Sequence, residues 1–261
     1  MYPTIFKFGK FALHTYGLCI AIAFLTGIML AKREASRLGE DPEKIMDLSF
    51  YILLSAIIGS RIFYVLTNLR FFLYNPIDIF KIWEGGLVFY GGFIGAVIVS
   101  AIYLKYYHIP FWKTADIFSP SLAIGHAIGR IGCFFAGCCY GKECALPWAI
   151  TFHNADSLAP QDISLHPTQL YSSLNNLIIF LILISVKKYK KFDGQIFLVY
   201  LFLYGIGRST VEFFRNDFRG GKVFGVLSIS QAIGLSLSLI AILTIVIHFT
   251  YLKKNNDSKQ S

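Results

Sequence analysis

The sequence is short of charged residues, which make up 15% of its 261 positions, whereas 55% of the positions are hydrophobic. Water-soluble domains usually carry about 25% charged residues. The deficit excludes an ordinary soluble domain and indicates that hydrocarbon surrounds most of the chain. The net charge of +9 could otherwise suggest a nucleic-acid partner. Because the charges lie mostly between apolar runs, membrane topology and anionic lipid explain them better, and no nucleic acid is expected.

The first ten residues lack the small-residue cleavage pattern of a signal peptide, and a long apolar segment follows them directly. We interpret that segment as a retained membrane span. A helix needs about 20 apolar residues to cross the hydrocarbon core. The apolar runs therefore predict an all-α integral membrane protein with about seven transmembrane helices. The candidate spans lie near residues 15–32, 48–67, 86–107, 115–138, 168–186, 194–214 and 225–252.

The basic residues between these spans predict the orientation in the membrane. Lysines are densest at 187–191, and cytoplasmic loops carry an excess of Lys and Arg. The N-terminus is expected outside and the C-terminus in the cytoplasm. Residues 1–252 then form a single multi-span membrane domain, and 253–261 form a polar cytoplasmic tail. Two longer extracytoplasmic segments are expected at about 67–85 and 140–167, and the aromatic residues of the first predict an interfacial segment.

Acidic residues within the apolar runs are too few to balance the arginines there. Arg61, Arg130 and Arg208 all lie within or at the edges of candidate spans. An arginine at the bilayer centre costs roughly 2.5–3.5 kcal/mol on insertion scales, so these side chains should face protein, water or an anion. Glu212 shares a helix face with Arg208. Structural ion pairs could explain any one arginine, but the remaining positive charge favours an anionic ligand such as a phospholipid phosphate.

Two glycine-rich segments accompany these arginines. One runs from Gly85 to Gly92 at the start of the third span, and the other surrounds Arg130 with Gly129 and Gly132. Glycine allows helices to pack closely and allows the backbone to approach a ligand. Packing alone would explain either segment, but glycines around an arginine favour a binding site.

The cysteine pattern leaves three interpretations open. Four of the five cysteines lie within twelve positions, at Cys133, Cys138, Cys139 and Cys144. Zinc ligands usually come in C-x2–4-C pairs that a longer stretch of chain separates, and this C-x4-C-C-x4-C spacing is not that usual pairing. A disulfide would suit the oxidising outer side of the membrane, and small packing residues would need no thiol chemistry.

Six segments together resemble the prolipoprotein diacylglyceryl transferase family, in order along nearly the whole chain. They are His14-Thr-Tyr16-Gly17, Gly59-Ser-Arg61, Gly85-Gly86-Leu-Val-Phe-Tyr90-Gly91-Gly92, Gly129-Arg130-Ile-Gly132, His166-Pro-Thr-Gln169-Leu-Tyr171 and Tyr204-Gly-x-x-Arg208-x-x-x-Glu212-Phe-Phe-Arg215. The chain departs from the family signature G-R-x-G-N-F-x-N-x-E-x-x-G, because Cys133, Ala136 and Cys138 replace its two Asn and its Glu. Tyr90 stands where the best-known glycine loop has a histidine, which leaves the identity of the base open.

The resemblance implies transfer of the diacylglyceryl group of phosphatidylglycerol to the thiol of the lipobox cysteine in a prolipoprotein signal peptide. Glycerol phosphate would leave, and the enzyme would work in the bacterial cytoplasmic (inner) membrane without cofactor or metal. The alternatives are a related membrane lipid transferase with a different acceptor, or an anion transporter. A transporter would typically show inverted repeats, and the sequence shows no repeat.

The resemblance also assigns expected roles to individual residues. The expected catalytic residues are Tyr90, Arg130 and Arg208. The expected phosphatidylglycerol contacts are Arg130, Arg208, Arg61, Tyr16, Gly129 and Gly132. The expected supporting residues are Glu212, Tyr204, His166 and Gln169. Arg130 and Arg208 would stabilise the negative charge that develops on the departing phosphate, and Tyr90, Tyr16 or His166 would relay the proton of the acceptor thiol.

Overall fold

Long helices form at the predicted apolar runs. The computed structural model describes residues 2–8, 11–216, 222–223 and 227–257. Its helices are α1 (Thr15–Arg37), α2 (Pro42–Thr67), α3 (Leu69–Tyr74), α4 (Phe89–Tyr106), α5 (Phe111–Ala136), α6 (Thr168–Val186), α7 (Gln195–Glu212) and α8 (Ile229–Asp257). The prediction of a largely helical membrane protein is confirmed. Residues 225–226 of the predicted last span and 258–261 of the predicted tail lie outside the described residues.

Five helical segments in the described part of the chain are long and apolar enough to cross a bilayer. They are Thr15–Arg37, Pro42–Thr67, Phe89–Tyr106, Thr168–Tyr189 and Ile229–Thr250. The other two long helices, α5 and α7, are the ones that carry Arg130 and the pair Arg208 and Glu212. Ionisable groups lower the mean hydropathy of a helix, and within a membrane they must face protein or water rather than lipid.

Short extended segments accompany the helices, and the sequence analysis did not predict them. Among the described residues three antiparallel strand pairs form, between β1 (Thr4–Phe8) and β2 (Phe11–His14), β3 (Ile150–Thr151) and β4 (Ser164–Leu165), and β5 (Lys222–Val223) and β6 (Leu227–Ser228). The second pair folds the predicted segment 140–167 around a small core of Phe152, Ala159 and Leu165. The segment before α4 contains α3 and two 3₁₀ turns, Pro76–Phe80 and Ile82–Glu84.

The chain forms two compact units. The first comprises Met1–Leu30 and Ala115–Ser261, and the second comprises Ala31–Thr114. Within the second unit, α2 packs closely against α4. A Cβ added to Gly91 would lie 2.3 Å from the carbonyl oxygen of Gly59, and one added to Gly95 would lie 2.7 Å from that of Ser55. These approaches fit the first of the two roles given above for glycine, the close packing of helices. The predicted single membrane domain stays a prediction.

A buried carboxylate joins α5 to α7 within the first unit. Asp116 is 3% exposed and accepts the backbone N–H groups of Gly194 and Phe197 at 2.8 and 2.9 Å. These N–H groups begin α7, where a negative charge is favourable. Lys190 Nζ lies 2.9 Å from the same carboxylate. Burial lowers the pKa of Lys190, but its hydrogen bonds to Asp116 and Asp193 outweigh burial and raise that pKa above its ordinary value.

Candidate active site

Arg130 lies on α5 within the first unit and pairs with a histidine one turn earlier. Its Nε donates to His126 Nε2 at 3.1 Å. A ring nitrogen that accepts a hydrogen bond carries no proton, so His126 adds no positive charge here. The His126 ring also packs on that of Tyr204, with 5.4 Å between the centroids. Sequence reasoning did not single out His126, although its position four residues before Arg130 places both on one helix face.

A second group of charges lies at the end of α7. Arg208 Nη1 donates to Glu212 Oε2, and Arg215 Nε lies 3.8 Å from the same oxygen. Ser228 Oγ donates to Glu212 Oε1 at 3.0 Å. The side chains of Arg208 and Glu212 are 14% and 11% exposed. One carboxylate therefore serves two guanidinium groups, and a net positive charge remains in a largely buried position.

Arg130 and Arg208 line the same small cavity between α5, α6 and α7. Its walls are His126, Arg130, Ser172, Asn175, Asn176, Tyr204, Gly207, Arg208 and Val211. The volume is about 10 Å³, which is close to what one water molecule requires. A phosphate group can enter only if the surrounding side chains move apart. The fold thus brings together three of the residues selected from the sequence, Arg130, Tyr204 and Arg208.

Asn176 adds a buried acceptor to this cavity, and the sequence analysis missed it. Its Nδ2 donates to the carbonyl oxygen of Ser172 at 2.7 Å, and the residue is 2% exposed. Among the described residues no donor reaches Asn176 Oδ1. Leaving a buried acceptor without a partner costs free energy, which a ligand with a hydroxyl group would recover. The available signal was the polar Asn175-Asn176 pair inside an apolar span.

The end of α5 folds three cysteines together. Gly137 has φ of 75°, and its N–H donates to the carbonyl oxygen of Phe134 at 3.2 Å. The next N–H, on Cys138, returns to the carbonyl oxygen of Cys133 at 3.2 Å. These two bonds make a Schellman motif, which ends a helix by folding the chain back on its last turn. Cys139 follows with φ of 62°, a left-handed conformation that residues other than glycine rarely adopt.

The Sγ atoms of Cys133, Cys138 and Cys139 all lie within 4.8 Å of one another. We call these three residues the thiol cluster. None of the five cysteines, all of which lie in the described part of the chain, forms a disulfide. Cys144 is not a member of the cluster, and its backbone N–H pairs with the carbonyl oxygen of Ser164. The cysteine spacing alone gave no sign that three thiols converge, because the convergence depends on the helix end.

The first turn of α6 holds the thiol cluster in place. Thr168 Oγ1 donates to the carbonyl oxygen of Cys139, and Gln169 Nε2 donates to that of Cys138, both at 2.8 Å. Thr168 and Gln169 are each 1% exposed. Two buried side chains from α6 thus fix the backbone of the cluster, which gives the predicted supporting residue Gln169 a concrete contact.

Positive charge adjoins the thiol cluster. Hydrogen bonds from the other two thiols, together with the Arg215 guanidinium, lower the pKa of the Cys139 thiol, although partial burial opposes them. Tyr16 lies close enough to the cluster and to Arg130 to interact electrostatically with both. Tyr16, Arg130 and the thiol cluster therefore belong to one neighbourhood, next to the end of α7.

The two signature glycines on α5 differ in their surroundings. A Cβ added to Gly132 would lie 2.8 Å from Cys19 Cβ and 3.3 Å from Tyr16 Cδ2, so α1 and α5 approach closely there. A Cβ added to Gly129 would meet Ile20 Cδ1 at 3.5 Å, an ordinary contact. Gly132 is thus required for packing beside Tyr16. The expected lipid contacts of Gly129 and Gly132 stay predictions.

His166 connects the segment 140–167 to the ends of α6 and α7. Its Nδ1 lies 3.2 Å from the Tyr171 hydroxyl, and its ring packs 5.2 Å from that of Phe214. Its carbonyl oxygen accepts the N–H of Gly141 at 3.0 Å. His166 therefore has a positioning contact with the loop that follows the thiol cluster, and its expected part in proton relay stays a prediction.

Arg61 lies in the second unit and directs its guanidinium to backbone carbonyls. Nε donates to Ile79 O at 2.9 Å, Nη2 to Asp78 O at 2.5 Å, and Nη1 to Gly85 O at 2.6 Å and Gly86 O at 3.3 Å. The residue is 8% exposed. Arg61 thus fastens the segment before α4, which matches the structural alternative for this arginine. Its expected contact with phosphatidylglycerol stays a prediction.

Tyr90 also belongs to the second unit, on the first turn of α4. Its side chain is exposed, and its ring meets that of Phe89 edge-on, with 5.9 Å between centroids. The adjacent glycines account for the close packing of α4 on α2 rather than for the position of the hydroxyl group. The expected catalytic role of Tyr90 stays a prediction.

Comparison with known proteins identifies the family. The family model described as prolipoprotein diacylglyceryl transferase matches residues 3–247. A phosphatidylglycerol–prolipoprotein diacylglyceryl transferase of Clostridium tetani is 34% identical over 242 residues, covering 93% of this chain and 96% of the relative. A protein of the same name from Bacillus cytotoxicus is 36% identical over 243 residues, covering 92% and 89%. A third, from Trichormus variabilis, is 34% identical over 244 residues, covering 90% and 85%. The chain belongs to the prolipoprotein diacylglyceryl transferase family.

Proposed function

We propose that this protein transfers the diacylglyceryl group of phosphatidylglycerol to the thiol of a lipobox cysteine in a prolipoprotein signal peptide. The products are a thioether-linked lipid on the peptide and glycerol phosphate. The observation that carries the proposal is the pair Arg130 and Arg208 on one buried cavity, where Glu212 is the nearby carboxylate. The relatives that share this family are named for the same reaction.

The charge at the cavity suits the bond that must break. The acceptor sulfur becomes attached to a glycerol carbon, so a C–O bond breaks and the phosphate departs as an anion. Preorganised cations in a site of low dielectric constant stabilise such developing charge. Guanidinium groups suit this role because their planar donors match two phosphate oxygens at once. Glu212 orients Arg208, and Arg215 shares that carboxylate.

Asn176 supports phosphatidylglycerol as the donor. Asn176 lines the cavity, and its buried Oδ1 has no hydrogen-bond donor among the described residues. The headgroup of phosphatidylglycerol is a glycerol, whose hydroxyl groups are donors. A hydrogen bond from a headgroup hydroxyl to Asn176 Oδ1 would hold one end of the leaving group. Contacts of its phosphate with Arg130 and Arg208 would hold the other end.

The acceptor thiol must lose its proton before it attacks. An ordinary cysteine has a pKa of about 8.5, so only a few per cent is thiolate at neutral pH. The positive charge of Arg130, Arg208 and Arg215 favours the thiolate of the substrate. Tyr90 remains the proposed proton relay, on the basis of its place in the glycine-rich segment that resembles the family loop.

Membrane topology follows from the same proposal. All seven long helices would cross the bacterial cytoplasmic membrane, with the N-terminus outside and the C-terminus in the cytoplasm. The segment 67–85 would lie in the interface, because its exposed side chains include Phe71, Tyr74, Phe80 and Trp83. Residues 1–252 would then act as one membrane domain.

The test uses purified protein in detergent with phosphatidylglycerol and a lipobox peptide. We expect glycerol phosphate release together with a diacylglyceryl mass gain on the peptide, and no gain on a matched peptide in which serine replaces the cysteine. Release of glycerol phosphate without peptide modification would point to another acceptor. Well-folded protein that turns over neither substrate would contradict the proposal and favour an anion transporter.

A further inference from the structure

We propose that the thiol cluster, Cys133, Cys138 and Cys139, binds a zinc ion whose fourth position takes the thiolate of the substrate cysteine. The proposal rests on the transfer reaction proposed above, because it assigns the acceptor sulfur a binding site. It differs from the expectation, drawn from the family resemblance, that no metal takes part.

The spacing of the three sulfur atoms suits one metal ion. Thiolates bind zinc at about 2.3 Å, which places the sulfur atoms of a tetrahedral site about 3.8 Å apart. The three Sγ atoms already lie within 4.8 Å of one another. Small side-chain rotations would therefore bring them into contact with a common ion.

The backbone holds these thiols together before any ion binds. The Schellman motif returns Cys138 to Cys133, and α6 holds the carbonyl groups of Cys138 and Cys139 through Gln169 and Thr168. Cys139 also keeps a left-handed φ of 62°, which is unfavourable for a residue with a Cβ. Glycine would fill that position without this cost, so simple packing does not explain a cysteine there.

The donor set favours zinc with an open position. Soft thiolate ligands select ions such as Zn²⁺, and catalytic zinc sites use three protein ligands and leave the fourth place for water or substrate. Within the described residues the group contains three thiols and no fourth ligand of the His, Cys, Asp or Glu type. Three thiolates and Zn²⁺ carry a net charge of −1. Arg215 beside Cys139 and Arg130 beside Cys133 would offset that charge.

The open position explains how the acceptor thiol is activated. A thiol that coordinates zinc loses its proton, which passes by way of the proton relay proposed above to water. The bound sulfur then attacks the glycerol carbon of phosphatidylglycerol, forming an S–C bond with its electron pair. The C–O bond breaks, and its electrons leave with the glycerol phosphate anion. The thioether product is neutral and a weaker ligand, so water replaces it on the zinc.

The zinc content of the purified protein tests the metal site before any substrate is added. Protein purified in detergent should hold about one zinc per chain. Substitution by Co²⁺ should give an absorption band from thiolate-to-metal charge transfer. Substitution of residues that only hydrogen-bond to metal ligands already weakens metal binding about 10–100-fold. Cys133→Ser, Cys138→Ser and Cys139→Ser should each therefore weaken it more than about 100-fold, whereas Cys144→Ser should leave zinc content and transfer unchanged.

The lipobox peptide then tests the fourth position. Adding the cysteine peptide to the cobalt protein should strengthen the charge-transfer band, and the serine peptide should leave it unchanged. A charge-transfer band that does not change when the cysteine peptide is added would overturn the proposal that the substrate thiolate binds the metal. Copper in place of zinc, or an equal loss of metal in Cys144→Ser, would overturn the zinc site.

The two proposals fail in different ways. Wild-type protein that transfers lipid without bound zinc would overturn the metal site and leave the transfer reaction standing. Protein that binds zinc and responds to the cysteine peptide, yet never transfers lipid, would overturn the proposed function and leave the metal site standing. Both results come from the wild-type chain, so they do not depend on how well the cysteine variants fold.

Discussion

Replacing Arg208 by lysine separates the geometry of the guanidinium from its charge. Arg208 Nη1 engages Glu212, which leaves the other edge of its planar fork for a phosphate oxygen. Lysine keeps the positive charge but presents a point charge without a second edge. Lysine can remake one of the two charge-assisted hydrogen bonds of a bidentate contact, so one bond worth about 1.5–3 kcal/mol would be lost from the transition state. We therefore expect kcat/KM for phosphatidylglycerol to fall about 10–100-fold.

The assay measures glycerol phosphate release at several phosphatidylglycerol concentrations, with a fixed saturating peptide. Arg33→Lys provides a matched control, because Arg33 is an exposed residue of α1 outside the candidate site. Thermal unfolding in detergent shows whether each variant is folded. A folded Arg208→Lys protein within about threefold of wild-type kcat/KM would refute the bidentate contact and reduce Arg208 to a simple charge.

Three further substitutions test other parts of the account. Asn176→Leu should raise KM for phosphatidylglycerol about tenfold without loss of thermal stability, since it removes one acceptor; an unchanged KM would argue against a headgroup contact. Tyr90→Phe should lower kcat about 100-fold or more if its hydroxyl relays the proton, and a rate unchanged across pH would remove Tyr90 from the mechanism. Asp116→Asn should destabilise the protein by about 3–5 kcal/mol, because a buried ion pair loses one partner. The exposed Asp193 is the matched control, and Asp193→Asn should lower the free energy of unfolding by less than about 1 kcal/mol. Equal decreases for the two variants would contradict a stabilising role of buried Asp116 at the start of α7.

The helices were predictable because the bilayer requires long apolar runs. The predicted span 168–186 has the same bounds as α6, and the other predicted spans overlap long helices. Arg130 and Arg208 were predicted to face a common ligand, since charged side chains in apolar helices must avoid lipid. They do line one cavity, whereas the roles expected of them came from the family resemblance and stay predictions.

Other features of the site depend on contacts between distant segments. The thiol cluster forms because a Schellman motif ends α5 at Gly137 and α6 holds the loop, and neither event can be read from the cysteine spacing. The guanidinium of Arg61 is satisfied by carbonyls 17 to 25 positions away, which only the folded segment before α4 supplies. The short β-pairs have too few residues for a periodic pattern, so the sequence carried no signal for them.

Phosphatidylglycerol labelled with a heavy oxygen isotope gives the most direct test of the proposed transfer. The label is placed in the oxygen that joins the diacylglycerol carbon to phosphorus, and both products are weighed after reaction with the lipobox peptide. We predict that all of the label leaves with glycerol phosphate and that the peptide gains an unlabelled diacylglyceryl group on its cysteine. Label retained on the lipid product would mean that the P–O bond breaks instead, and it would contradict thioether formation at the glycerol carbon.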